Sequence, residues 1–199
     1  MGSDDINILI ACEFSGIVRD AFIANGHNAM SCDIEPTERQ GPHYQGDVFD
    51  IIDDDWDMMI AHPPCTYLAV SGNRWMVDNS ERQLFRLHAI HFFMKLANAD
   101  IPKICIENPV GIMSTKWRKP DQYIQPWEHG HKISKKTGLW LKNLPLLKPT
   151  EIVTPEWIYY KNGGRCSPDH YKNAFSKTRG KDRSRTYSGI ANAIAKQWE

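Results

Sequence analysis

A mostly parallel, doubly wound α/β sheet with a small C-terminal extension is the fold class this sequence predicts. Three observations lead there. Short apolar runs alternate with helical stretches over the first two-thirds of the chain, and such alternation builds parallel sheets with helices on both faces. The residues able to do chemistry fall just beyond the ends of those runs: Glu13 to Gly16, Asp33, Asp47, Pro63 to Cys65 and Glu107 to Pro109. Open α/β sheets hold their ligands beyond the carboxyl ends of the strands. Finally, 199 residues, 41% of them hydrophobic and 24% charged, suffice for one soluble domain with a sizeable core.

The elements follow in order. Met1 to Asp5 read as a flexible start, and Ile6 to Ala11 as a buried strand. A turn, Glu13-Phe14-Ser15-Gly16, leads into a short helix from Ile17 to Asn25 that Gly26 ends. His27 to Cys32 is a second strand, closed by Asp33. A polar, proline-containing stretch reaches Gly46-Asp47-Val48, and Asp57 to Ala61 is the next strand. Ser80-Glu81 opens a long helix in which Leu84, Leu87, Ile90, Met94 and Ala97 recur at helical spacing. Lys103 to Ile106 is a strand that runs into Glu107-Asn108-Pro109, and Gly138 to Leu141 another. Trp157 to Tyr160 enters a hairpin turn at Lys161 to Gly164, and Ser188 to Trp198 closes the chain as an apolar-striped helix.

Composition excludes several classes. The 24 basic and 24 acidic residues balance, so no global charge advertises nucleic acid. A local basic run does exist. Residues 161–185 hold eight Lys or Arg against Asp169 and Asp182, interleaved with Tyr171 and Phe175 and preceded by Trp157, Tyr159 and Tyr160. No apolar run has the length of a membrane span. The five cysteines are odd in number and form no Cys-x-x-Cys pair, which points away from disulfides and cysteine zinc sites and toward a reducing compartment. His129 and His131 offer two ligand-type nitrogens without a third, so no metal is expected. His88 and His91 fall on the long helix, where packing is the simpler role.

His62-Pro63-Pro64-Cys65 is the sharpest motif. Two prolines stiffen the loop that carries the thiol, and a held thiolate is a strong nucleophile near neutral pH. His62 stands ready either to tune that thiol or to position backbone. The first turn holds a single glycine of the dinucleotide fingerprint, so a phosphate cradle is absent there. Asp33 and Asp47 instead offer acceptors for ribose hydroxyls and an adenine amino group, which suits an adenosyl ligand such as S-adenosylmethionine.

Phe14-Ser15-Gly16, Asp33, Gly46-Asp47-Val48, Pro63-Pro64-Cys65 with Ser71-Gly72, and Glu107-Asn108-Pro109 occur in the order and approximate spacing of DNA cytosine-5 methyltransferases. The chain resembles that family over roughly residues 6–146 and its last dozen, most closely the short enzymes of phages and prophages. The resemblance implies a Rossmann-like S-adenosylmethionine-dependent methyltransferase fold in the cytoplasm of a bacterial host, with DNA as partner. It implies a catalytic core over 1–146, a short target-recognition segment over 147–185, and a C-terminal helix over 186–199 that returns to the core. Cys65, on the loop with Pro64, would attack C6 of cytosine. Glu107 would hold the N3 and N4 edge, and Asn108 would set the loop. Glu13, Phe14, Ser15, Gly16, Asp33, Ile34, Asp47, Val48, Pro63 and Ser188 would line the cofactor site. The base must be flipped out of a duplex or presented in a single strand.

Two departures from the family stand out. It carries Gln-x-Arg-x-Arg where this chain has Ser134-Lys135-Lys136-Thr137-Gly138. Lys136 then stands at the first arginine and Gly138 at the second, and a lysine cannot reproduce a bidentate fork. The recognition segment is also short, which implies loose or short sequence specificity. Other readings stay open: a degenerate fold that binds cofactor or DNA as an accessory, or a free nucleotide or RNA as substrate. Exocyclic amine methylation fits less well, because His62 and Cys65 occupy the positions that distinguish those enzymes.

Overall fold

The computed structural model describes residues 5–172 and 176–198. Met1 to Asp4 of the expected flexible start, and Phe175 of the basic segment, lie outside the described residues. The elements are β1 (Asn7–Ala11), α1 (Ile17–Ala24), β2 (Asn28–Asp33), β3 (His43–Gln45), β4 (Met58–Ala61), α2 (Ser80–Ala97), β5 (Lys103–Pro109), α3 (Met113–Lys116), β6 (Gln122–Ile124) and β7 (Thr137–Lys142). A hairpin of β8 (Ile158–Tyr159) and β9 (Arg165–Cys166) follows, then α4 (Pro168–Lys172), α5 (Arg179–Ser184) and α6 (Ser188–Gln197).

Seven strands form one sheet in the order β3-β2-β1-β4-β5-β7-β6. The first five are parallel, and β7 runs antiparallel between β5 and β6. The expected Rossmann-like α/β architecture, mostly parallel and doubly wound, is therefore the one observed.

Alternation along β1 explains why both faces are covered. Ile8 and Ile10 face α1 and α6, packing with Val18, Phe22, Ile190 and Ile194. Leu9 and Ala11 face the opposite side, with Phe93, Leu96 and Ile104. Strands buried on both faces read as near-continuous apolar runs, and Ile8 to Ala11 are all fully buried. The C-terminal helix, α6, packs along α1.

Three features were not visible in the sequence. The polar stretch before Asp47 contains β3, and the segment after β5 contains α3 and β6. The apolar stripe of α2 is buried only toward its C-terminal half, at Phe93 and Leu96, whereas Leu84 and Leu87 are 51% and 62% exposed. A fully buried arginine, Arg19, also organises the loop after β2. Its guanidinium donates to Ser31, Thr37, the carbonyls of Arg39 and Gln40, and Asp20.

Candidate active site

The strand order reverses direction between β1 and β4, and the turns leaving these two strands form the candidate site. The β1 turn is built around a buried carboxylate. Glu13 accepts from the backbone amides of Val18 at 2.8 Å and Arg19 at 3.3 Å, and from the Ser15 hydroxyl at 2.9 Å. A carboxylate at a helix N-terminus satisfies amides that otherwise have no partner. Glu13 and Ser15 thus shape the turn with their side chains committed to α1. Gly16 caps the helix at φ +70°, and a Cβ there would lie 2.5 Å from the Arg19 guanidinium, so the position requires glycine.

On the neighbouring strand ends, Asp33 closes β2 and spends one carboxyl oxygen on the amide of Glu35. Burial is the main cause that raises its pKa. Asp47 caps the short turn that begins at Val48, accepting from the amide of Phe49 at 3.0 Å. The charges of Asp33 and Asp47 both push up the thiols of Cys12 and Cys32, after burial, so the two acids converge on one region. Ile34 beside them is 75% exposed, and Val48 is buried.

The thiol loop is stitched to its surroundings by backbone bonds. The His62 amide donates to the carbonyl of Ala11, at the end of β1, at 2.9 Å. The Cys65 carbonyl accepts from Leu68 and Ala69, and Ile112 donates to Leu68 at 2.8 Å. Asn108 supplies the side-chain link: its Nδ2 donates to the Pro63 carbonyl at 2.8 Å within the buried interior. The two most specific motifs are therefore joined directly. Pro64 and Cys65 lie exposed at the tip, with Pro63 buried beneath them.

Charges around the thiol compete. Crowding by protein atoms pushes the Cys65 pKa up, as does the charge of Glu107. Lys135, a backbone hydrogen bond and Arg183 pull it down, and the net shift is upward. Glu107 meets His62, Nδ1 to Oε2 at 2.9 Å, with both side chains largely buried. Burial works against both charges, but the hydrogen bond and ion pair prevail. The imidazole is raised and the carboxyl lowered from their ordinary values, the carboxyl with help from Lys135.

Placement corrects one expectation. Lys136 lies away from this centre, its ammonium 4.1 Å from the ring centroid of Tyr123 on β6. Lys135 is the cation whose charge reaches Cys65 and Glu107, and its Nζ also donates to the Arg183 carbonyl at 2.8 Å. Both lysines precede β7, and their ammonium groups end in different surroundings. Gly138 has its own physical cause. It sits in β7 between β5 and β6, where a Cβ would lie 3.1 Å from Pro120, and an arginine would not fit as the sheet is packed.

The basic segment reaches the same end of the sheet. Arg185 forms a fork with Glu38, at 2.8 and 2.7 Å, and Lys181 approaches Glu35 at 3.4 Å. Both cations lie over the ring of Phe14, which is only 8% exposed. Arg19, Glu38, Lys135 and Arg183 are thus residues that sequence reasoning missed. Only the charge run hinted at Arg183. His131 accepts from the Gly189 amide at 2.9 Å and packs on Tyr187, which fastens the start of α6, whereas the His129 side chain meets Thr150. Ser188, exposed, lies 3.5 Å from His131. No metal-binding cluster occurs among the described residues.

No protein-family model and no curated protein matches the chain. Among solved structures, the Entamoeba histolytica methyltransferase EhMeth is similar, with 13% sequence identity and a TM-score of 0.49 over 78% of this chain and 59% of that one.

Proposed function

We propose that this chain is an S-adenosylmethionine-dependent methyltransferase acting at C5 of cytosine in DNA, through a covalent adduct with Cys65. The observation that carries the reading is the joining of the two motifs. A thiol on a proline-stiffened loop and a carboxyl on the adjacent strand end are locked together by the bond from Asn108 to Pro63. Catalysis that depends on fixed geometry gains from groups held before substrate arrives.

The chain's residues fit the cofactor. Asp33 presents a half-buried carboxyl with one oxygen committed locally, and Ile34 offers an exposed apolar face beside it. Asp47 and Phe14 complete that end of the sheet. When bound, S-adenosylmethionine supplies an electrophilic methyl group on a sulfonium. The chain's own groups do the rest. Cys65 adds to C6, which makes C5 nucleophilic. Glu107 faces the N3 and N4 edge, where a proton offsets the charge that develops. Lys135 supplies a positive charge near both groups, without the fork geometry of an arginine. Exposed bases of the basic segment, such as Lys177 and Arg179, contact phosphate, and the short segment reads few bases.

Methylation of mixed-sequence DNA with labelled cofactor, followed by mapping of the modified positions, tests this. Label at cytosine C5 is expected. Cofactor binding without methyl transfer to any DNA would favour the accessory reading.

A further inference from the structure

His62 sits one residue before the two prolines, and among the described residues its side chain has one hydrogen-bond partner. Nδ1 meets Glu107 at 2.9 Å, and the side chain is 10% exposed. The other nitrogen, Nε2, is buried with no hydrogen-bond partner among the described residues. A buried polar atom without a partner carries a cost that a fold retains for a reason. The charged groups facing His62 come from three elements: Glu107 on β5, Glu13 on the turn after β1, and Lys135 on the segment entering β7. Two carboxylates against one ammonium favour imidazolium, and the ring's pKa lies above its ordinary value despite burial.

Resting on the proposed cytosine reaction, we infer that His62 is a positioning residue that stores the proton Glu107 delivers to the target base. The carboxyl by itself is ill suited to that delivery, since its pKa is lowered and it rests as an anion. The proton sits next door, on Nδ1. Because Nε2 reaches no acceptor among the described residues, the hydrogen-bonded path out of the imidazolium runs through Glu107.

The step balances. The Cys65 thiolate forms the bond from sulfur to C6, the C5–C6 π bond breaks, and its electron pair shifts through the ring so that charge reaches N3. Nδ1 gives its proton to the Glu107 carboxylate, and the carboxyl passes a proton to N3. The products are a neutral imidazole, a restored carboxylate and a neutral adduct. When C5 loses its proton and Cys65 departs, N3 returns its proton along the same path. The imidazolium and the thiolate are needed together, so the rate falls below both titrations as the thiolate is lost and above both as the imidazolium is lost.

The test measures the rate at which denaturation-resistant adduct forms between the full chain and mixed-sequence DNA carrying 5-fluorodeoxycytidine, with S-adenosylmethionine, across pH. Wild type is expected to lose rate above the titrations of both His62 and Cys65. His62→Gln keeps a donor toward Glu107 but holds no labile charge. It is expected to be at least tenfold slower near neutrality, with a rate that levels off instead of declining once the thiol is ionised. A merely structural role would lower the rate and leave the profile's shape unchanged. An alkaline limb that persists in His62→Gln overturns the relay. Should that variant not fold, by circular dichroism and cofactor binding, the same limb is read in His62→Asn. A wild-type protein that forms no adduct at any pH sinks the cytosine reaction and the relay together. An adduct with an unchanged limb in the variants overturns the relay alone.

Discussion

The thiol loop and the basic segment meet at the same end of the sheet and are held there by opposite means. Residues 62–65 hang from buried bonds: the His62 amide to Ala11, Asn108 to the Pro63 carbonyl, and His62 to Glu107. Residues 176–185 hang from partly exposed ion pairs, chiefly the fork from Arg185 to Glu38 and the contact from Lys181 to Glu35. Buried hydrogen bonds are expensive to break because the abandoned partner stays dry, whereas exposed ion pairs are screened and contribute little. One region is fixed in place. The other is conditional, and it lies over Phe14, where the proposed cofactor would bind.

Variants can break that contrast, and the largest effect belongs to the loop. Cys65→Ser is expected to lower methyl transfer on the order of 10⁴-fold or more, the scale on which removal of a nucleophile acts, while cofactor affinity measured by calorimetry stays near wild type. Glu107→Gln removes one contact made in the transition state and is expected to cost roughly 3 kcal/mol, or about a hundredfold in rate. Steady-state kinetics at saturating cofactor check this, and a full-speed variant would count against cytosine as substrate.

Asn108→Ala tests rigidity instead of chemistry. It leaves the buried Pro63 carbonyl without its donor and is expected to cost about 1–3 kcal/mol of stability. That corresponds to a melting temperature lower by about 2–4 °C for each kcal/mol in a chain of this size. The same region predicts a pH window. The raised His62 contributes stability that is complete below its unfolded value of 6.5 and is lost as pH climbs through the folded value. The lowered Glu107 contributes stability present above its unfolded value of 4.5 and lost as pH falls through the folded value. Guanidinium midpoints are expected to fall at both ends, and more steeply in wild type than in His62→Gln.

The smallest effect belongs to the basic segment. Arg185→Gln is expected to change global stability by less than about 1 kcal/mol, yet to speed protease cleavage within 176–185 and to alter cofactor affinity. Added salt should mimic it in wild type. A large loss of global stability would mean that the segment is part of the core, and the contrast would fail.

The same contrast explains what could be read in advance. The parallel core was legible because β1, β4 and β5 are apolar runs whose ends carry the chemistry. The resemblance implies that Asn108 sets the loop, and its Nδ2 donates to the Pro63 carbonyl. The identity of the nearby lysine was not legible, because Lys135 and Lys136 are adjacent lysines in the segment entering β7 and differ only in where each ammonium ends. Arg19 and the link from Glu38 to Arg185 were invisible for another reason: each joins residues distant in the chain by polar contacts that leave no periodic trace. The strands β3 and β6 are three residues each, too short to show a period.

The central claim is that Cys65 forms a bond to the target base, and intact-mass analysis tests it most directly. Wild type incubated with 5-fluorodeoxycytidine-substituted DNA and S-adenosylmethionine is expected to gain the mass of the trapped, methylated nucleotide strand, with the attachment mapping to Cys65 after digestion. Cys65→Ser should gain nothing. An unmodified wild-type protein, or an adduct that persists in Cys65→Ser, would contradict covalent catalysis through this thiol.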